Sequence, residues 1–202
     1  YRESARVYHL LASHEALRDV NPEQSLKEGF NRTEKCLRII PTDARCKLVL
    51  AKLMLEQAKW KAKRGESASG LFDTALRTVV DASTQPLHRS DFWQSIAVVY
   101  LDIILELDKT AATSATTPRM QSEATVRGVE AISKALEIAP GLPYSLAISA
   151  ALCLQKSRRD PSSRTHLEQA HSQFTKAIEG NANLKITFGK MADEVERELA
   201  TR

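Results

Sequence analysis

Apolar residues recur along the chain at spacings of three, four and seven, which is the pattern of one face of an α-helix. The clearest stretch begins at Trp93, continues through Ile96 and Ala97, and ends at Tyr100. No convincing run alternates apolar and polar residues with the Val, Ile, Thr and aromatic content of a strand. Ala, Leu, Glu, Lys and Arg dominate the composition, and all five favour helices. The sequence therefore predicts an all-α protein.

This pattern predicts nine helices, at about residues 3–18, 23–39, 44–64, 67–82, 90–109, 120–138, 143–157, 163–179 and 184–200. We expect the first eight to form four antiparallel pairs, and the ninth to be a capping helix with a polar outer face. The pairs cover about residues 3–39, 44–82, 90–138 and 143–179, and the cap covers 184–200. Because no pair can bury its apolar face alone, the pairs must stack, and we expect a single domain over residues 1–202.

The second helix of each pair carries one repeated motif, with anchor residues spaced by four and then by three. The copies are Gly29-x3-Thr33-x2-Cys36, Ala75-x3-Val79-x2-Ala82, Gly128-x3-Ile132-x2-Ala135 and Ala170-x3-Phe174-x2-Ala177. We expect small residues at the first and third anchors to let a neighbouring backbone come close. Prolines such as Pro41 and Pro140 end these helices, because proline cannot donate the next backbone hydrogen bond.

The first helices repeat a second motif, centred on an alanine, and the distance between the two motifs is constant. The separation is 22 residues from Gly29 to Ala51, from Ala75 to Ala97, from Gly128 to Ala150 and from Ala170 to Ala192. Within a pair the corresponding distance varies from 17 residues, between Ala12 and Gly29, to 31, between Ala97 and Gly128. The pattern therefore predicts turns of fixed size between pairs, and elongated helices and long loops within them.

These two motifs resemble the first and second helices of the tetratricopeptide (TPR) repeat. The resemblance covers nearly the whole chain and implies a right-handed α-solenoid that acts as a protein-protein interaction or scaffolding module. Elongated pairs with Asn-Pro or Asp-Pro between the helices, as at Asn21-Pro22 and Asp160-Pro161, are also similar to arrays that follow the catalytic domain of some bacterial serine/threonine protein kinases. The resemblance thus implies the regulatory or sensor region of a larger bacterial signalling protein. Tyr1 already lies in a helical pattern, so we expect a fragment of a longer chain.

In a TPR array the first helices line a concave groove, so the resemblance nominates a set of groove residues. They are Lys52, Leu55, Glu56, Gln94, Val98, Leu101, Asp102, Tyr144, Ala147, Ala151, Leu154 and Gln155. The middle of this groove is apolar, which suits an amphipathic helix or an extended apolar segment of another protein. We therefore expect a protein or peptide partner.

The distribution of basic residues suggests an alternative function. The chain has 29 Lys and Arg against 25 Asp and Glu, a formal charge of +4. The positive charges are scattered except around Trp60, where the neighbours are Lys59, Lys61, Lys63 and Arg64. A nucleic-acid-binding helical repeat is therefore the second hypothesis, because such proteins concentrate basic residues on one face. The commoner explanation is that these cations lie at the C-terminus of a helix, so we expect no nucleic-acid partner.

No catalytic motif is recognisable in the sequence. His9 and His14 are five residues apart, as are His166 and His171, whereas metal-binding pairs on a helix prefer a spacing of four. The seven glycines do not cluster into a phosphate-binding loop. We expect no enzyme activity in this chain, no cofactor and no metal site, although a longer parent protein could be a kinase.

The cysteines and the hydropathy suggest a location. Cys36, Cys46 and Cys153 have no CxxC spacing, so we expect buried, reduced thiols and a cytoplasmic protein. No segment is apolar enough for a membrane span. We expect a monomer or a weak dimer.

Overall fold

A computed structural model describes residues 1–85, 87–110, 117–160 and 163–201, and among these residues it contains nine α-helices and no strand. The helices are α1 (Arg2–Leu17), α2 (Glu23–Ile39), α3 (Ala44–Lys63), α4 (Ser69–Ser83), α5 (Ser90–Thr110), α6 (Thr117–Ile138), α7 (Pro143–Arg159), α8 (Arg164–Gly180) and α9 (Leu184–Thr201). The predicted all-α class and the nine helices are therefore confirmed. None of these described helices combines the length and the hydropathy that crossing a bilayer requires.

Side-chain caps define two of the helix starts. The Asn21 side-chain oxygen accepts a hydrogen bond from the backbone N–H of Glu23 at 3.0 Å, just before α2. One carboxylate oxygen of Asp43 accepts from the backbone N–H groups of Arg45 and Cys46 at the start of α3. Of the Asp160-Pro161 pair, Pro161 lies outside the described residues.

The helices group into two compact units. Unit 1 comprises Tyr1–Pro86 and Leu105–Met120, and unit 2 comprises Leu87–Ile104 and Gln121–Arg202. In unit 1, α1 packs against α2 and α3, α2 packs against α3, and α3 packs against α4. In unit 2, α7, α8 and α9 pack against one another.

The repeated anchors of the second helices all lie in the core. All twelve are buried, including Gly29, Val79, Gly128 and Phe174. Their burial follows from the motif, because a spacing of four and then three keeps side chains on one helical face.

Two glycines among these anchors make the same close contact in different units. A Cβ atom at Gly29 would lie 2.6 Å from a Cδ atom of Leu53, and one at Gly128 would lie 2.9 Å from a Cδ atom of Leu152. Each leucine follows its glycine by 24 residues and lies two positions after the alanine of the next first helix. The constant spacing in the sequence thus has a structural counterpart: a leucine of the following helix lies against the backbone of the preceding one.

The prediction of three reduced cysteines is wrong for two of them. Cys36 and Cys46 form a disulfide, with Cα atoms 6.6 Å apart, which joins the end of α2 to the start of α3. The sequence argument considered only CxxC spacings, whereas the tight turn around Pro41 brings together two cysteines that are ten residues apart. The expected cytoplasmic location loses the support that it drew from these two thiols.

Cys153 keeps its predicted state, a free and buried thiol. Burial raises the pKa of this thiol to about 11, against a smaller opposing effect of Lys156. The group is therefore a neutral, unreactive thiol at neutral pH.

The close contact at Gly29 predicts that Gly29→Ala destabilises the protein. The new methyl group would overlap the Leu53 side chain, and the expected net loss is about 0.5–2 kcal/mol after the gain in helix propensity. The measurement is urea unfolding followed by circular dichroism. Gly70→Ala is the matched control, because no atom lies within 4 Å of a Cβ at that helical position. A Gly29→Ala protein as stable as Gly70→Ala would contradict the contact.

Reduction of the disulfide should lower the free energy of unfolding by about 2–3 kcal/mol, the chain-entropy scale for a loop of this size. The change is measured by unfolding with and without a phosphine reductant, in a Cys153→Ser background that leaves only Cys36 and Cys46. Intact mass after alkylation of the unfolded, unreduced protein checks the bond. Two alkylated cysteines in that background would show that the bond does not form.

Candidate functional site

The predicted groove residues are not all accessible. Seven of the twelve are buried: Leu55, Glu56, Leu101, Ala147, Ala151, Leu154 and Gln155. A side chain such as Ala151, with no exposed surface, cannot contact a ligand in this conformation. Six of the seven therefore do not line an open groove, and this part of the predicted site is corrected; Glu56 keeps a small exposed surface that faces the cleft described below.

The physical reason is clearest at α7, which has neighbours on several sides. It packs against α8 and α9, its Leu152 lies against Gly128 of α6, and its Ser145 hydroxyl accepts a hydrogen bond from the Gln94 side chain of α5 at 2.9 Å. A sequence signal for this burial exists, because no charged residue occurs from Pro143 to Gln155. A helix without a polar face is typically buried all round.

The other groove candidates are partly or mainly accessible. Lys52, Gln94, Val98 and Asp102 are half-buried. Tyr144 is exposed and packs edge-on against Phe188, with ring centroids 6.0 Å apart. Partial burial, followed by the charge of Asp102, raises the pKa of the Tyr144 hydroxyl.

Unit 1 contains an open cleft between α1, α3 and the end of α5, which we call the α1–α3 cleft. Its volume is about 530 Å³. The lining residues are Ser13, Ala16, Leu17, Glu56, Lys59, Trp60, Ala62, Lys63, Glu106 and Lys109. Of the predicted groove residues, Glu56 lines this cleft, and Lys52 lies one turn before it on α3.

The lysines of the cleft are each paired with a carboxylate. Lys59 pairs with Glu56 at 3.0 Å and Lys109 pairs with Glu106 at 2.7 Å. Lys63 of α3 pairs with Asp19, which follows the end of α1. Charges of both signs are therefore present in and beside the cleft, and each lysine of its lining has an acidic partner.

Trp60 has the largest side chain among the residues that line the cleft. The ammonium of Lys63 lies 6.0 Å from the centroid of its ring, at the limit of a cation–π interaction. The ring N–H is buried and has no hydrogen-bond partner. Ala16, Leu17 and Ala62 extend the apolar wall, so the cleft combines an apolar floor with charged edges.

His9 of α1 lies close to the positive charges of α3. Burial, and then the charges of Lys52, Lys59 and Arg6, lower the pKa of His9 to about 4. The imidazole is therefore neutral at pH 7, and adds no further positive charge to this side of α3.

One cluster has a metal-ligand composition that sequence reasoning missed. A ligand atom from each of Cys36, Asp43 and Cys46 lies within 4.8 Å of the others. Both sulfurs belong to the disulfide, and cysteine ligates a metal as a thiolate. In this oxidised form the cluster joins and caps two helices, and its cysteines cannot act as metal ligands.

The basic cluster behind the nucleic-acid hypothesis is partly neutralised. Besides the pairs of Lys59 and Lys63, Arg64 contacts Glu66 at 3.0 Å and Glu23 at 3.9 Å. Carboxylates interleaved with the cations weaken the attraction for a phosphate backbone.

The low pKa of His9 predicts a pH-dependent loss of stability. Below pH 6.5 the unfolded chain binds a proton at His9 that the folded chain does not bind until about pH 4, so stability falls as the pH is lowered through this window. The total effect is about 3 kcal/mol. His9→Gln should remove this part of the pH dependence of chemical unfolding between pH 7 and pH 4.5. His14→Gln, at an exposed position of the same helix, should leave the pH dependence due to His9 unchanged. Equal pH dependence in wild type and His9→Gln would contradict the assignment.

No protein-family model matches the chain, and no curated protein matches it at a significant level.

Proposed function

We propose that this protein is a TPR-like repeat of the right-handed solenoid type that binds a peptide segment of another protein in the α1–α3 cleft. The observation that carries the proposal is the cleft itself, with its Trp60 floor and its charges of both signs. Its volume of about 530 Å³ is within the usual range of ligand sites.

The chemistry of the cleft suggests the kind of segment. An apolar side chain of the partner would lie against Trp60 and Ala62, where it displaces water from apolar surface. Polar or charged neighbours would meet the edges formed by Glu56–Lys59 and Glu106–Lys109. An amphipathic helix or a short extended segment carries both kinds of group.

The repeat assignment is supported by the recurring glycine–leucine contact. Gly29 with Leu53 and Gly128 with Leu152 occupy the same positions of the two sequence motifs. A TPR array uses such small anchors to stack one helix pair on the next. On this basis we propose a scaffolding role without catalysis, as the regulatory or sensor region of a larger signalling protein such as a serine/threonine kinase.

The test uses peptides selected against the wild-type protein from a random library displayed on phage. Ala62→Trp should weaken their binding at least ~10-fold, because the indole would fill the cleft. Lys52→Glu changes a charge on α3 one turn before the cleft, and it should weaken peptide binding less than Ala62→Trp does. Fluorescence anisotropy of labelled peptides gives the dissociation constants.

Val126→Glu is the matched control, because Val126 is exposed and belongs to unit 2. Leu101→Asp is unsuitable, because Leu101 is only 5% exposed and the change would report on folding. Selected peptides that bind Ala62→Trp as well as they bind wild type would place the binding surface elsewhere.

A further inference from the structure

The outer face of α1 carries an exposed apolar stripe that extends beyond the α1–α3 cleft; Leu17 belongs to both surfaces. Val7 is 62% exposed, Leu10 56%, Leu11 42% and Leu17 82%. These residues recur at helical spacing on the face opposite the buried Ala5 and Ala12. We call them, with Glu3, His14 and Arg18, the α1 stripe. Large apolar side chains grouped in this way indicate an interaction surface.

The equivalent face of other first helices is covered by protein. Val7 lies five residues before the repeat alanine, His14 two after it and Leu17 five after it. At the same offsets α3 has Cys46, Leu53 and Glu56, and α7 has Ser145, Leu152 and Gln155, all of them buried. The α1 stripe is thus the face that a neighbouring helix covers elsewhere in this chain.

The charges at the two ends of the stripe indicate what covers it. Glu3 lies at its N-terminal end and Arg18 at its C-terminal end, and both are exposed. In a parallel pair of α1 helices, each of these charges would meet its own copy and be repelled. In an antiparallel pair with the two-fold axis between Leu10 and Leu11, Glu3 would lie opposite Arg18 of the second copy.

We propose that two copies of this chain associate through the α1 stripe as an antiparallel, two-fold symmetric helix pair. In this register Leu10 lies opposite the second copy's Leu11, and Val7 lies opposite its His14. A two-fold interface must be self-complementary, and the order acidic, apolar, basic along one face meets that requirement. Specificity for the antiparallel orientation comes from the like-charge repulsion in the parallel one.

The ion pairs that Glu3 makes within its own chain do not prevent it from contacting Arg18 of a second copy. Its carboxylate lies 3.2 Å from the guanidinium of Arg2 and 4.0 Å from that of Arg6, in pairs whose members are all substantially exposed. Exposed pairs of this kind contribute little stability. Contact with Arg18 of a second copy would replace them at small cost.

The size of the surface predicts a weak dimer. α1 has 16 residues and is therefore about 24 Å long. A single helix face of this length lies at the low end of protein interfaces, which is typical of reversible association. We expect a dissociation constant on the order of 10–100 µM.

The first experiment is sedimentation velocity over a range of protein concentrations. Wild type should shift from monomer to dimer, and Leu10→Asp should raise the dissociation constant at least ~10-fold. Ile186→Asp is the matched control, because Ile186 is 88% exposed on α9 and should leave the dimer intact. Circular dichroism checks that each variant is folded. A wild type that stays monomeric to ~500 µM, or a dimer that Leu10→Asp does not weaken, would overturn the proposal.

The second experiment tests the orientation by exchanging charges. Arg18→Glu and Glu3→Arg should each weaken the dimer, because each places like charges opposite one another. The double variant, Glu3→Arg with Arg18→Glu, should restore association to near the wild-type level. Single variants without effect, or a double variant that stays monomeric, would overturn the antiparallel register. Peptide binding in the α1–α3 cleft should be unchanged by Glu3→Arg, which separates this inference from the proposed function.

Discussion

The close approach of consecutive helices at glycine is the interaction on which this architecture depends. Gly29 and Gly128 have no side chain, so the next helix can approach the backbone at these positions. The space is filled by Leu53 and Leu152, each of which lies two positions after the repeat alanine of its helix. Neither helix could bury its apolar face alone, so this contact sets both the distance and the register between neighbours. The burial of all twelve anchors of the second helices follows from the same packing.

The elements were predictable because their signal is local. Helical spacing, the anchor motif and the proline stops each lie within a few residues of one another, and the nine helices begin and end near the predicted positions. The disulfide was not predictable from the same information. Cys36 is an anchor and Cys46 begins the next helix, so their proximity depends on the turn between α2 and α3 and not on a short motif.

The candidate site was predicted less well, because a repeat position does not determine exposure. Asp102 of α5 and Gln155 of α7 both lie five residues after the repeat alanine. Asp102 is half-buried, whereas Gln155 is buried. The TPR resemblance assigned both residues to the groove, although their side chains differ in accessibility. The cleft is also lined by Glu106 and Lys109 of α5, which come from a different repeat and which no spacing rule placed beside α1 and α3.

The two surfaces proposed for binding both involve α1 or α3. The cleft offers Trp60 with paired charges, and the outer face of α1 offers an apolar stripe between an acid and a base. These two surfaces meet at Leu17, which lines the cleft and also belongs to the stripe. α7, by contrast, is largely buried in the core of unit 2, which agrees with the absence of charged residues from Pro143 to Gln155.

The central claim, that a glycine–leucine contact sets the stacking of successive helices, is tested most directly by double-mutant cycles. One cycle combines Gly29→Ala with Leu53→Ala, and the other combines Gly128→Ala with Leu152→Ala. Because the smaller side chain removes the overlap with the new methyl group, each glycine change should cost less in the leucine-truncated background. We predict coupling free energies of about 1 kcal/mol or more from urea unfolding in both cycles. Additive effects in both cycles would contradict the account.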